Sequence, residues 1–134
     1  VDTKKILDVT TEQISLCDHG FICVNVQETD LAGHAQNPER YAEVLGIVDG
    51  YIGKIIRLLK EDDILVVTAD HGNDPTIGHS QHTREYVPLL IYKQGVHAVD
   101  IGVRKTMADT AATAAEFFSA EKPEAGESYL SYLV

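Results

Sequence analysis

Cysteine is scarce in this sequence, with only Cys17 and Cys23 among 134 residues. Two residues in a C-x5-C spacing exclude a disulfide scaffold, and they match neither a zinc knuckle nor a thioredoxin-type pair. They read as buried thiols of a reducing compartment. Positive charge is also thin, at 11 lysines and arginines against 21 acidic residues, for a net charge of -10. That balance excludes a broad nucleic-acid or anionic-membrane surface. A small phosphate ester remains compatible with it, because bound metal ions supply positive charge locally. No apolar run approaches the roughly 20 residues of a membrane span, and Val1-Asp2-Thr3-Lys4-Lys5 carries no signal-peptide pattern. The expected location is the cytoplasm. Internal repeats and low-complexity tracts are absent too, which leaves a single globular domain as the default reading. The chain opens on Val1 and its one methionine is Met107, so we expect it to be a piece of a longer protein.

What is present alternates between strand and helix patterns. Thr11 to Cys17 reads as a short helix capped by Thr10 or Thr11, and Gly20 then breaks to the apolar, β-prone run Phe21 to Val26. Such a run suits a strand buried on both faces. A polar loop from Gln27 to Gln36 follows. Asn37 is a good N-cap and Pro38 a good first residue for a long helix. Its apolar stripe takes in Tyr41, Val44, Leu45, Val48, Ile52, Ile55, Ile56 and Leu59. Ile64 to Ala69 reads as a second buried strand, giving a strand, helix, strand crossover with parallel strands. Val87 to Tyr92 is a third strand, and Val96 to Val103 a short further one. Thr106 to Phe118 reads as a helix with Met107, Thr110, Ala111, Ala114 and Phe117 or Phe118 inward.

Chemistry concentrates in two loops that begin where these strands end, the place where open α/β sheets build their sites. The first holds Asp30-Leu31-Ala32-Gly33-His34; the second runs from Asp70-His71 through His82 to Glu85. A sixteen-residue loop inside a compact domain usually has a function. Two carboxylates, Asp30 and Asp70, with three imidazoles, His34, His71 and His82, suit Mn or Zn better than Ca. Five ligands exceed the needs of one open catalytic site and point to two metals. Taken singly, an Asp-x3-His pair is more often a cap or a surface turn. His19, His79 and His97 read as surface or turn residues. Asn73 and Asp74 are suited to bracing their own loop, and Arg84 either grips a phosphate or pairs with Glu85.

These motifs resemble a known family. Ala69-Asp70-His71-Gly72-Asn73-Asp74-Pro75-Thr76 and His82-Thr83-Arg84-Glu85-Tyr86-Val87-Pro88-Leu89-Leu90 are similar to segments of phosphopentomutases of the alkaline phosphatase superfamily, as is Met107-Ala108-Asp109-Thr110 at the head of the last helix. The resemblance implies an α/β three-layer core with a mostly parallel sheet, here incomplete and lacking an N-terminal segment and a cap domain. Residues 1-134 would be the C-terminal part of a metal-binding phosphomutase core. It implies two Mn ions, with Zn or Mg as alternatives, Asp70 and His71 holding one and Asp30, His34 and His82 the other. Arg84 is the candidate for the substrate phosphate. The implied reaction moves a phosphoryl group between C1 and C5 of ribose or deoxyribose through a phosphoenzyme. A sugar bisphosphate would act as activator, and the phosphorylated threonine or serine would lie outside this chain. The chain alone would be inactive, and exposed strand edges would favour its self-association. Neither nucleic acid nor membrane is an expected partner.

Two departures stand out. The family usually has one more residue between its first aspartate and the Gly-His pair, and an aspartate where Gln81 stands. The Asp30-to-His34 spacing is closer to cofactor-independent phosphoglycerate mutases. The alternatives are thus a superfamily phosphomutase or phosphatase with another substrate, or a non-catalytic metal-binding module.

Overall fold

The computed structural model describes residues 1-133. They divide into two compact units, Val1–Ile91 and Tyr92–Val134.

Three helices organise the first unit. Helix α1 (Thr3–Leu16) starts eight residues earlier than the sequence suggests, because Asp2 rather than a threonine caps it and accepts from the Lys5 amide at 3.0 Å. Thr10 and Thr11 lie inside the helix and donate back to the carbonyls of Ile6 and Asp8. Helix α3 (Pro38–Leu58) begins as expected, with Asn37 accepting from the Arg40 amide at 2.9 Å and Pro38 at the first turn. It packs on α1 and on a short helix, α2 (Glu28–His34). Leu7, Ala32, Val44 and Ile55 form the buried apolar core of this unit. Leu45, expected on the buried stripe, is exposed.

Strand β1 (Ile64–Thr68) pairs with β2 (Leu89–Lys93) in a two-stranded antiparallel sheet. The sequence led us to expect a mostly parallel sheet. The connection between these strands instead folds back on itself through an antiparallel bridge between Gly72 and Thr83, as a hairpin can and a parallel crossover cannot. Thr68 fastens the pair further by donating from its hydroxyl to the Pro88 carbonyl at 2.9 Å.

The strand expected over Phe21 to Val26 does not form among the described residues. Phe21, Ile22 and Val24 are 69, 41 and 37 % exposed. A β-prone run becomes a strand only when it joins a ladder, and among the described residues the sheet contains β1 and β2 alone. The same lack of cover corrects the reading of the cysteines. Cys17 and Cys23 are free and exposed, and the Cys17 thiol donates to the His19 carbonyl at 3.2 Å.

In the second unit, helix α4 (Ala108–Phe117) turns a different face inward from the one expected. Asp109, Ala112 and Thr113 are buried, whereas Met107 and Phe117 are exposed. Polar bonds set that rotation. Asp109 takes the Arg104 guanidinium and the Glu127 amide, and the Thr113 hydroxyl accepts from the Tyr129 amide. Gly126, at φ +104°, lies so close to the Ala108 carbonyl that no β-carbon fits there. Tyr129 is fully buried beside a 3-10 turn, Leu130–Tyr132. Residues 96-103 form no strand, because Ala98 and Gly102 take positive φ angles that interrupt any ladder. Among the described residues, no helix is long and apolar enough to cross a membrane.

Candidate metal centre

Residues 27-36 have the composition of a polar loop, but most of them form α2. Asp30 and His34 thereby fall four residues apart on one helical face, with His34 Nε2 3.3 Å from Asp30 Oδ2. Glu28 sets where this helix sits. Its carboxylate accepts from the buried Thr3 hydroxyl of α1 at 2.5 Å and pairs with the Arg40 guanidinium of α3. The hydroxyl and then the guanidinium hold the Glu28 carboxyl down at about 2, below its ordinary 4.5.

The second cluster follows β1. Thr83 donates its amide to the Gly72 carbonyl at 2.9 Å, and its hydroxyl accepts from the Asp74 amide and donates to Glu85. A β-carbon on Gly72 would meet the end of the Glu85 side chain and crowd the Thr83 carbonyl at 3.0 Å, so glycine lets the two segments close without moving Glu85. Closure brings together His71 and His82, which stack with ring centroids 3.8 Å apart.

Both clusters meet. His82 Nε2 lies 3.1 Å from His34 Nε2 and 3.5 Å from Asp30 Oδ1. His71 Nε2 stands 4.0 Å from Asp30 Oδ1 and 3.7 Å from Asp70 Oδ2. Asp30, His71 and His82 each offer a ligand atom within 4.8 Å of the others. Asp70 has the loosest position of the five, its side chain 88 % exposed with His71 as its near neighbour.

The donor chemistry suits a divalent cation. His34 donates Nδ1–H to the Ser80 carbonyl at 2.7 Å, and His71 points Nδ1 at the Gly72 carbonyl at 3.2 Å. A carbonyl can only accept, so the proton of each neutral ring sits on Nδ1 and the Nε2 lone pair faces the centre. Metal-binding histidines are held in this way, by a carbonyl or carboxylate on the far nitrogen.

The other residues singled out in the sequence divide. Arg84 is exposed and makes no ion pair with Glu85 among the described residues. Asp74 braces its own loop by accepting from the Thr76 hydroxyl and amide, bonds that hold its carboxyl below the usual range. His79 belongs to a turn, its Nδ1 accepting from the Gln81 amide. Asn73 does something that spacing did not reveal. Its amide leaves its own loop and donates to Asp30, 43 residues away, at both the backbone carbonyl and the carboxylate.

Comparison with known proteins agrees with the resemblance read from the motifs. The chain is 39 % identical over 136 residues to the phosphopentomutase of Alkaliphilus oremlandii (strain OhILAs), an alignment covering 100 % of this chain and 35 % of that protein. It is 41 % identical over 117 residues to the phosphopentomutase of Pseudoalteromonas translucida (strain TAC 125), covering 87 % of this chain and 29 % of the relative. With the phosphopentomutase of Carboxydothermus hydrogenoformans (strain ATCC BAA-161 / DSM 6008 / Z-2901) the identity is 46 % over 112 residues, 82 % of this chain and 29 % of the relative. The chain thus spans about a third of the length of these curated relatives. Residues 1–122 match the family model of the Metalloenzyme superfamily, and the chain belongs to that superfamily.

Proposed function

We propose that these residues are part of the core of a metal-dependent phosphomutase that moves a phosphoryl group between C1 and C5 of ribose or deoxyribose. The observation that carries this reading is the convergence of Asp30, His34, His71 and His82, with two imidazoles locked so that Nε2 faces the carboxylate. Three relatives named phosphopentomutase supply the reaction.

Two Mn ions are proposed, with Zn or Mg as substitutes. Asp70 and His71 would hold one; Asp30, His34 and His82 would hold the other. Asp30, His34 and His82 approach one another at 3.1 to 3.5 Å, and His71 lies between the two sets, 3.7 Å from Asp70 and 4.0 Å from Asp30. When bound, the ions offset phosphate charge and favour in-line transfer. The chain's own residues orient this centre through the carbonyls of Ser80 and Gly72 and the Asn73 amide. Arg84, free of an ion pair with Glu85, is proposed to take a substrate phosphate through its planar guanidinium. The phosphorylated threonine or serine, the cap that grips the sugar and the remaining strands of a three-layer core are proposed to lie outside these residues. A sugar bisphosphate would prime the phosphoenzyme, and the reaction belongs to the cytoplasm.

The short Asp30-to-His34 spacing favours a second reading, a superfamily mutase or phosphatase acting on another phosphate ester. A coupled assay of ribose 1-phosphate conversion to ribose 5-phosphate decides between them, run on the full-length protein with Mn and a sugar bisphosphate. Turnover that Asp70→Ala abolishes supports the pentose reading. Intact metal binding without pentose turnover selects the second reading.

A further inference from the structure

Asn73 is 8 % exposed and sits between the two ligand-bearing segments. It follows His71 by two residues, yet its Nδ2 donates to the Asp30 carboxylate at 2.7 Å and to the Asp30 carbonyl at 3.1 Å. One amide nitrogen thus grips two oxygens of the same residue. This closes a ring through the Asp30 side chain and fixes its torsions, leaving Oδ2 turned to His34. The amide cannot be reversed, because its oxygen would then face two acceptors. The orientation has a cost: Asn73 Oδ1 is buried with no hydrogen-bond partner among the described residues. It lies against Gly33, where a β-carbon would strike the carboxamide. The glycine before His34 therefore makes room for the group that orients Asp30.

We infer that Asn73 is a positioning residue of the metal centre, holding the Asp30 carboxylate in its ligating orientation and tying α2 to the loop that carries His71. This inference rests on the reading of Asp30 as a metal ligand. The test is calorimetric titration of Mn into the full-length protein, with thermal unfolding recorded in the absence of metal. Asn73→Ala is expected to weaken Mn binding about tenfold to a hundredfold, the range for groups that orient a ligand. In the double variant Gly33→Ala/Asn73→Ala the new methyl fills the vacated space. Thermal stability is then expected to return toward that of the unaltered protein while Mn affinity stays low. Unchanged affinity in Asn73→Ala, or affinity that recovers with stability in the double variant, would reduce Asn73 to packing and overturn the inference. Failure of the unaltered protein to bind Mn would remove the metal reading itself, and that is seen before any variant is compared.

Discussion

His34 and His82, 48 residues apart in the chain, meet Nε2 to Nε2 at 3.1 Å. Two ring nitrogens at that distance share either a proton or a cation. His34 has its proton committed to the Ser80 carbonyl through Nδ1, so without metal His82 must carry its own proton on Nε2. Were a metal held here as proposed, both nitrogens would turn lone pairs inward and His82 would carry its proton on Nδ1. Long-range nitrogen-proton spectra of the protein, recorded with and without diamagnetic Zn, are expected to show His82 change tautomer while His34 keeps its own. An unchanged His82 would detach it from the centre.

Metal binding should also register as stability, because a ligand that binds only the folded state stabilises it by mass action. At a free Mn concentration of about one hundred times Kd the expected gain is about 2.7 kcal/mol. Denaturant unfolding with and without Mn measures it. His82→Ala, which removes a proposed ligand from the Asp30 set, is expected to abolish most of the gain.

Gly72 is predicted to resist a side chain. A β-carbon there meets the Glu85 carboxylate and crowds the Thr83 carbonyl at 3.0 Å, so Gly72→Ala must swing Glu85 away from the Thr83 hydroxyl and press on the bridge that joins His71 to His82. Overpacking of this kind costs about 1–3 kcal/mol. Urea unfolding of the metal-free protein checks the stability loss, and Mn titration checks an accompanying fall in affinity.

Acid should loosen α2 through Glu28. Its carboxyl is held at about 2, below the ordinary 4.5, by the Thr3 hydroxyl and the Arg40 guanidinium. The folded state therefore binds the proton more weakly than the unfolded one. The contribution is complete above pH 4.5 and declines as pH falls toward about 2. Glu28→Gln is expected to flatten the pH dependence of stability in that window. An identical slope in the variant would show that the Thr3, Glu28 and Arg40 contacts do not contribute.

In the second unit, the nearly buried pair of Arg104 Nε and Asp109 Oδ2 at 2.8 Å sets the face that α4 turns inward. Arg104→Ala leaves Asp109 with the Glu127 amide alone. Loss of a hydrogen bond to a charged group predicts destabilisation of about 1.5–3 kcal/mol, measurable by denaturant unfolding.

Much of the candidate centre can be read from the sequence, because its proposed chemistry lies in residue type. Asp70-His71 and His82 stand out in any reading, and Asn37-Pro38 announces α3 through capping that acts locally. Two failures are local, the Asp2 cap that starts α1 early and the positive φ angles of Ala98 and Gly102; in the others distant partners decide. Residues 21-26 have the composition of a buried strand but do not join the sheet formed by β1 and β2 among the described residues. Helix α2 is short and contains Gly33, so its pattern resembles a loop, and the contacts of Glu28 to Thr3 and Arg40 stabilise it from outside. The inward face of α4 follows Asp109 and Thr113, polar residues that hydrophobic periodicity assigns to solvent. Asn73 reaches across 43 residues to Asp30, a contact that no local spacing encodes.

Anomalous diffraction at the Mn absorption edge, from crystals of the full-length protein grown with Mn, is the decisive measurement. One peak is expected among Asp30, His34 and His82 and a second at Asp70 and His71. Mn bound elsewhere, or no peak at these five side chains, would contradict the proposed metal centre.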